Sequence, residues 1–228
     1  MPSYFLSRHT YLCLSPSHVI LLDLASGNYL SLPIADARSL SGWITDWPVA
    51  GPVTVEPPEL LQELLAEGLV SRDIAAGRTG SLTTTAPPPR EALEDHKGTR
   101  AKVGPLDMYR FLVAVTFGSL ALRLVPLRRI IEHVRKRKAR ARPLDIDKAV
   151  TLLMRYESLY AIFFDRHNEC LRNSLYLLGF FAQHGVYPDW VFGIRAEPFL
   201  AHCWLQHGEV VINDKVRNTA CLLPIMTV

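Results

Sequence analysis

The chain has 228 residues, 49% of them hydrophobic, which is enough apolar material for one large domain or two small ones. This composition excludes a chain that is disordered throughout. The formal charge of +3 is mild, and the four cysteines form no Cys-x-x-Cys pair. We therefore expect neither a disulfide framework nor structural zinc, and a reducing cytoplasm fits best.

The opening residues, Met1 to Phe5, contain no basic segment followed by an apolar run, so no secretory signal is predicted. The longest uncharged apolar stretch, residues 111–122, is shorter than the roughly 20 residues that a transmembrane helix needs. We expect no transmembrane segment and interpret this stretch as a buried helix, in preference to a helix on a membrane surface.

Residues 1–72 predict a small domain with a three-stranded sheet and short helices. A hairpin turn is expected at residues 25–27, where Gly27 supplies the positive φ. The last helix should be closed by Gly68. The expected elements are strands at 4–6, 11–14, 18–24 and 28–32, and helices at 35–43 and 59–67.

Residues 73–105 are rich in Gly, Thr, Pro and charge, and we predict a linker there. Apolar residues at helical spacing then predict helices at 106–124 and 145–164. A basic run lies between them, and it fits a solvated helix end or linker, a patch for an acidic partner, or a nucleic-acid site without aromatic residues. Its members are Arg128, Arg129, Arg135, Lys136, Arg137, Lys138, Arg140 and Arg142.

Cys170 is predicted to lie in the first turn of an apolar helix that Asn168 can cap. The helix dipole and the unpaired amides at that end would lower the thiol pKa and could offer a donor to an oxyanion. A cysteine nucleophile requires both effects. The alternative is that Cys170 is a small buried hydrophobic residue.

His202 and Asp214 fall on two successive strands, and their cooperation depends on the register between them. A three-residue loop at residues 207–209 places His202 opposite Asp214, whereas a two-residue loop pairs His202 with Asn213. In the first register Cys170, His202 and Asp214 can form a nucleophile, base and orienting carboxylate. Taken singly, His202 fits a structural histidine and Asp214 a strand-end cap.

Cys203 follows His202 and is expected on the opposite strand face, in the core. A zinc site built from Cys170, His202, Cys203 and Asp214 is disfavoured, because adjacent strand residues converge poorly on one tetrahedral ion. We therefore predict no metal and no bound cofactor. No Gly-x-x-x-x-Gly-Lys phosphate loop is present.

The segments 168–175, 192–195, 198–204 and 208–214 resemble the B protein of lasso-peptide biosynthesis, a transglutaminase-like cysteine peptidase. The position after the histidine is often alanine in that family and is Cys203 here. The resemblance implies an α+β chain, with residues 106–228 forming a transglutaminase/papain-like domain of helices and antiparallel sheet. It also implies a Cys170, His202, Asp214 triad.

The first 72 residues resemble the winged-helix-like leader-recognition domain related to pyrroloquinoline-quinone carrier proteins. That resemblance implies that the leader of a ribosomally made precursor lies along an exposed strand edge. A proline at Leu30 would then test whether that residue's amide pairs with the leader. The expected leader-binding residues are Asn28, Tyr29, Leu30, Leu32, Leu61, Leu64 and Leu65.

The sequence therefore predicts a cytoplasmic leader peptidase of ribosomal-peptide maturation. Its expected partners are the precursor and a separate asparagine-synthetase-like lactam synthetase, through which ATP dependence could arise. One alternative is a non-catalytic precursor-binding chaperone with a degenerate transglutaminase-like domain. The other is a winged-helix nucleic-acid binder that uses the basic run, a role the catalytic pattern disfavours.

Overall fold

The computed structural model describes residues 4–52, 54–80, 86–93, 101–164 and 169–228. Within these ranges the chain forms seven α-helices and eleven strands in three sheets, which confirms the α+β class. It divides into two compact units. The first comprises Met1–Thr84, Ile194–Leu200 and Leu223–Met226, and the second comprises Thr85–Gly193, Ala201–Leu222 and Thr227–Val228.

The first unit contains the predicted hairpin. Strands β1 (Phe5–Ser7), β2 (Thr10–Leu14), β3 (His18–Asp23) and β4 (Tyr29–Pro33) follow in chain order, and one sheet has the order β2-β3-β4. Gly27 has a φ of 79° in the turn before β4, as its place in the hairpin predicts. The four strands predicted in this region are confirmed.

Two short helices and a second sheet complete this unit. The first predicted helix is shorter than expected, because α1 (Ile34–Ala37) passes into a 3-10 turn at Arg38–Leu40. Helix α2 (Glu59–Ala66) ends before Gly68, whose φ is 73°. Strand β1 pairs with β5 (Val70–Ser71) and β6 (Gly77–Arg78), so the described part of the unit has two three-stranded sheets where one was expected. Its buried core includes Leu6, Leu12, Val19, Leu21, Leu40, Leu61 and Leu64.

Part of the expected linker is a strand of the second unit. Strand β7 (Glu91–Ala92) pairs in parallel with β10 (Val210–Val211), and the Gln206 carboxamide donates to the Pro87 carbonyl at 2.7 Å. The sheet order is β11-β8-β9-β10-β7, with β8 (Asp189–Arg195), β9 (Leu200–His207) and β11 (Leu223–Thr227). The β9–β10 pair is antiparallel, as expected, and the parallel β7–β10 pair makes the sheet mixed. Residues 81–85 and 94–100 of the expected linker lie outside the described residues.

Among the described residues, three helices lie between the expected linker and Cys170, where two were predicted. They are α3 (Pro105–Leu124), α4 (Leu127–Lys138) and α5 (Ile146–Phe163), and they are followed by α6 (Cys170–Ala182) and α7 (Val216–Thr219). Most of the basic run lies in α4, which buries Ile130, Ile131 and Val134 and pairs Lys138 with Asp189. The sequence pattern did not predict α4, because the many basic residues outnumber the apolar side chains of its buried face.

Helix α3 is not the buried helix that its composition predicted. It buries a narrow face that includes Phe111, Ala114 and Gly118. The apolar side chains that it leaves at least half exposed are Leu106, Tyr109, Phe117, Leu120 and Leu124. In the described ranges α3 is long and apolar enough to cross a bilayer by length and composition, which for a single helix is weak evidence of a span.

Two glycines, Gly118 and Gly179, lie where α3 and α6 pack against each other. A Cβ at Gly118 of α3 would lie 2.6 Å from the Tyr176 ring of α6, so the close approach requires glycine there. A Cβ at Gly179 of α6 would lie 3.4 Å from the Ala114 Cβ, which is ordinary contact. The two positions therefore differ in whether they tolerate a methyl group, although both are inside helices.

Gly118→Ala should destabilise the protein, whereas Gly179→Ala should not. Alanine gains about 1 kcal/mol of helix propensity at either site, but overpacking against Tyr176 costs roughly 1–3 kcal/mol. We expect Gly118→Ala to lower the free energy of unfolding by about 1 kcal/mol in denaturant titrations. A Gly118→Ala protein at least as stable as the Gly179→Ala control would contradict this packing.

Candidate functional site

Cys170 is the first residue of α6, as the sequence predicts for a thiol in the first helical turn. The residue before it, Glu169, occupies the N-cap and makes no side-chain capping hydrogen bond. Asn168, the predicted cap, lies outside the described residues. The amides of the first turn therefore have no side-chain cap from Glu169, and the positive end of the helix dipole faces the Cys170 thiol.

His202 lies on β9 and donates its Nε2 proton to Asp214 Oδ2. The other carboxylate oxygen, Oδ1, accepts hydrogen bonds from the Lys215 backbone N–H and from Asn218 Nδ2, both at 2.7 Å. These three donors fix the orientation of the carboxylate and lower the pKa of Asp214 against the opposing effect of burial. Because Asp214 binds Nε2, the other ring nitrogen of His202, Nδ1, is available to the Cys170 thiol.

Both registers considered for the β9–β10 hairpin are wrong. His207 pairs with Val210 and Gln206 with Val211, so the loop is Gly208–Glu209. Pairing then stops, because the Asn213 side chain accepts the Leu205 N–H at 2.7 Å in place of a backbone carbonyl. The chain bends at this point, and the bend brings Asp214 to His202 outside any strand register.

The Cys170 sulfur is surrounded by hydrogen-bond partners. The Cys203 side chain has the largest effect, and the His202 ring and the Cys203 backbone N–H add to it, so that together they outweigh burial and lower the pKa of Cys170 to about 4. Burial alone would lower the pKa of His202, but its hydrogen bonds to Asp214 and Cys170 raise it to about 9. Between these values the pair is a thiolate and an imidazolium.

Cys203 is buried as predicted, but it is not remote from the site. The expectation was that alternation along β9 would turn its side chain away from Cys170. The Cys170 thiol instead lies against the strand backbone, where it meets both the N–H and the side chain of Cys203. The hydrogen bond to Cys170, and after it burial, hold the pKa of Cys203 well above its usual range.

Ser174 connects this part of α6 to the sheet. Its hydroxyl donates to the Cys170 carbonyl one turn earlier, accepts from Trp190 Nε1 at 3.1 Å and lies 3.3 Å from Cys203 Sγ. Both Ser174 and Trp190 are fully buried. One hydroxyl therefore fixes the start of α6 relative to β8 and β9.

The His202 ring also has a packed support. It stacks on the Trp204 ring, with 6.1 Å between centroids and 21° between planes. The indole in turn lies over Gly193 of β8, where a Cβ would come within 2.7 Å of it. Glycine at this position makes room for the tryptophan that supports the imidazole.

Sequence reasoning missed Ser174, Asn218 and Trp190 as members of this network. Ser174 follows Cys170 by four residues, and Asn218 follows Asp214 by four, so helical spacing could have indicated both. The part played by Trp190 had no signal in the sequence, because it depends on how β8 packs against α6.

The seven residues expected to bind a leader differ in their positions and fall into three sets. Asn28, Tyr29 and Leu30 line an open cavity of about 480 Å³ in the first unit, together with Leu21, Leu69, Asp23, Ser26 and Glu67. Leu65 is half-buried and is not among the lining residues. The remaining three, Leu32, Leu61 and Leu64, are core residues with at most 5% exposure.

Strand β4 has one sheet neighbour, β3, among the described residues. Asn28 accepts the Asp23 N–H and Ile34 donates to the Ser17 carbonyl, so the even-numbered residues of this segment face β3. The Leu30 amide therefore faces into the sheet, whereas Ser31 presents its N–H and C=O on the other side. Ser31, and not Leu30, is the position with an outward-facing amide.

The opposite pKa shifts of Cys170 and His202 favour a thiolate beside an imidazolium. A thiolate at a helix N-terminus, an imidazolium in contact with it and an orienting carboxylate are the groups that nucleophilic acyl transfer uses. Across the described ranges, no cluster of three or more His, Cys, Asp or Glu side chains could hold a metal ion.

Comparison with protein families matches the model of the transglutaminase-like superfamily to residues 111–227. Searches of curated proteins and of solved structures find no match. The matched segment covers half of the chain and contains the thiol, the imidazole and the carboxylate described above. The chain therefore belongs to the transglutaminase-like superfamily, many of whose domains share a cysteine-protease-like arrangement.

Proposed function

We propose that this protein is a cysteine peptidase that removes the leader from a ribosomally made lasso-peptide precursor. The observation that carries the proposal is the continuous line of contacts from Cys170 through His202 to Asp214 at the start of α6. Each member has the protonation state that peptide cleavage needs, since the thiol is held as an anion and the imidazole as a cation.

In the proposed reaction the Cys170 thiolate attacks the scissile carbonyl and forms a tetrahedral adduct. The backbone N–H of Cys170, at the positive end of α6, is a candidate donor for the developing oxyanion. The C–N bond then breaks, and the His202 imidazolium gives its proton to the departing amine. Water attacks the thioester next, with neutral His202 as the base, and cleavage of the C–S bond restores the thiolate.

Asp214 acts on His202 and not on the substrate. Its carboxylate keeps the proton on Nε2, which turns Nδ1 toward the sulfur and stabilises the imidazolium. Because Asn218 and the Lys215 amide hold the other oxygen, the carboxylate cannot easily rotate away from the ring. We therefore assign Asn218 the role of positioning Asp214.

Leader recognition is proposed for the first unit, through the β4 edge and the cavity beside it. The cavity combines buried Leu21 and Leu69 with the carboxylates of Asp23 and Glu67. Such a lining fits a leader side chain with an apolar body and a hydrogen-bond donor at its tip. An extended leader could also pair with the outward N–H and C=O of Ser31, as a strand added to the sheet.

The proposal includes the next step of the pathway. The core released by cleavage would pass to a separate asparagine-synthetase-like lactam synthetase for ring closure. Any requirement for ATP would then belong to that partner, since this chain has no Gly-x-x-x-x-Gly-Lys phosphate loop.

Cys170→Ala and His202→Ala should each abolish precursor cleavage, whereas Asp214→Ala should retain a trace. Without its orienting carboxylate the imidazole still acts part of the time, so we expect kcat to fall roughly a hundredfold to ten-thousandfold. Cleavage is measured as the leader-sized mass loss of a purified precursor. The control is Cys221→Ala, which removes an exposed thiol that lies outside the site.

Leader affinity of the Cys170→Ala protein separates this proposal from its alternatives. We expect affinity close to that of the unmodified protein, because chemistry and recognition are assigned to different units. Full cleavage by Cys170→Ala would rule out the nucleophile. A precursor that binds normally but is cleaved by neither protein would favour a chaperone role.

Ser31→Pro should weaken leader binding, because proline removes the outward N–H of β4 without removing a bond of the β3–β4 ladder. One backbone hydrogen bond contributes about 0.5–1.5 kcal/mol, so we expect the Kd to rise roughly threefold to tenfold. Titration of the full chain with a labelled leader peptide measures this. Ser31→Ala, which keeps the N–H, is the matched control and should bind normally.

Leu30→Pro provides the opposite comparison. Its amide faces β3, so proline there should lower the stability of the sheet itself. Unchanged affinity in a folded Ser31→Pro protein would show that the leader does not pair with this edge.

A further inference from the structure

A second thiol lies beside the proposed nucleophile. The side chain and the backbone N–H of Cys203 both act on the Cys170 thiol and lower its pKa. The Ser174 hydroxyl, which bonds to the Cys170 carbonyl, also lies 3.3 Å from Cys203 Sγ. The proposed peptidase mechanism uses only one of these two sulfurs, and the other has no assigned role in it.

The two thiols differ in their access to solvent. Cys203 is 3% exposed, whereas Cys170 is only half-buried at the start of α6. A dissolved oxidant therefore reaches Cys170 first. Cys203 is shielded from outside reagents but lies next to whatever forms on Cys170.

We propose that Cys170 and Cys203 form a reversible intramolecular disulfide, with a low-molecular-weight disulfide such as oxidised glutathione as the oxidant. Cys170 is the attacking thiol and Cys203 the resolving thiol. The inference rests on the position of Cys203 beside the first turn of α6, which the Ser174 hydroxyl fixes, and on the unequal exposure of the two thiols. It holds whether or not the chain cleaves a peptide.

The reaction balances as two thiol–disulfide exchanges. The Cys170 thiolate attacks one sulfur of the oxidant, forms a mixed disulfide and releases one thiolate. Cys203 then attacks the Cys170 sulfur, the mixed disulfide breaks, and the second small thiol leaves with the proton from Cys203. Two protein thiols have been oxidised, and one small disulfide has been reduced to two thiols.

The second step becomes easier once the first has occurred. In the reduced protein Cys203 donates to an anionic sulfur, and this hydrogen bond together with burial raises the pKa of Cys203. The Cys170 sulfur carries no negative charge in the mixed disulfide, so it no longer raises the pKa of Cys203. The two sulfurs must then approach to the S–S bond length of about 2.05 Å.

The consequence is a reversible block of the site. A disulfide leaves Cys170 without the nucleophilic thiolate that acyl transfer needs, and it removes the anion that stabilises the His202 imidazolium. Because Cys203 captures the mixed disulfide, the nucleophile is also protected from oxidation to sulfinic and sulfonic acids, which is irreversible for most proteins. A dithiol reductant should restore the original state.

The test treats the purified full chain with oxidised glutathione, blocks the remaining thiols with an alkylating reagent and measures the intact mass. We expect loss of two hydrogen atoms without a retained glutathione, and a proteolytic fragment pair joined through Cys170 and Cys203. Cys13→Ala and Cys221→Ala controls should behave in the same way.

Two variants of the resolving thiol make the test independent of packing effects. Cys203→Ala and Cys203→Ser should both retain one glutathione on Cys170, and serine keeps a hydroxyl beside Ser174. A stable glutathione adduct on Cys170 of the unmodified chain would overturn the proposal. Recovery of both thiols in free form would also overturn it. Neither result depends on cleavage of a precursor, so the peptidase proposal would be unaffected.

Discussion

The position of Cys170 at the first residue of α6, against the backbone of β9, is the constraint on which the site depends. A thiol at that point meets the positive end of the helix, the N–H of Cys203 and the ring of His202 at once. Each of these stabilises the anion, and together they overcome the cost of partial burial. A shift of α6 by one residue would turn the thiol by about 100° around the helix, away from Cys203 and His202.

Several buried contacts keep α6 in that position. Ser174 joins the helix to Trp190 of β8 and to Cys203 of β9 through one hydroxyl, and leaving such a buried group unpaired costs about 1–3 kcal/mol. On the other side of the helix, Gly118 of α3 allows the Tyr176 ring to approach closely. The electrostatics of the site therefore depend on ordinary packing some distance from the sulfur.

The sequence predicted elements well where local pattern decides them. The β3–β4 hairpin, the end of α2 at Gly68 and the start of α6 near Cys170 all follow from turn residues and helical spacing.

The β9–β10 register could not be predicted in this way, because the Asn213 side chain replaces a ladder bond and bends the chain toward His202. Strand β7 was missed because its pairing with β10 joins residues far apart in the sequence. The proximity of Cys203 to Cys170 was missed because alternation along a strand assigns each side chain to one face of the sheet. It does not show that the Cys170 thiol lies against the backbone of β9.

The central claim, that Cys170 is held as a thiolate by His202 and its neighbours, is tested most directly by its alkylation rate as a function of pH. A lowered pKa means that the anion persists as the pH falls, so the rate should be half-maximal near the Cys170 pKa of about 4 and level by about pH 6.5. Peptide-level mass spectrometry follows Cys170 separately from Cys13, Cys203 and Cys221. His202→Ala should move the midpoint upward. A midpoint near the ordinary thiol value of 9.0, unaffected by His202→Ala, would contradict the account.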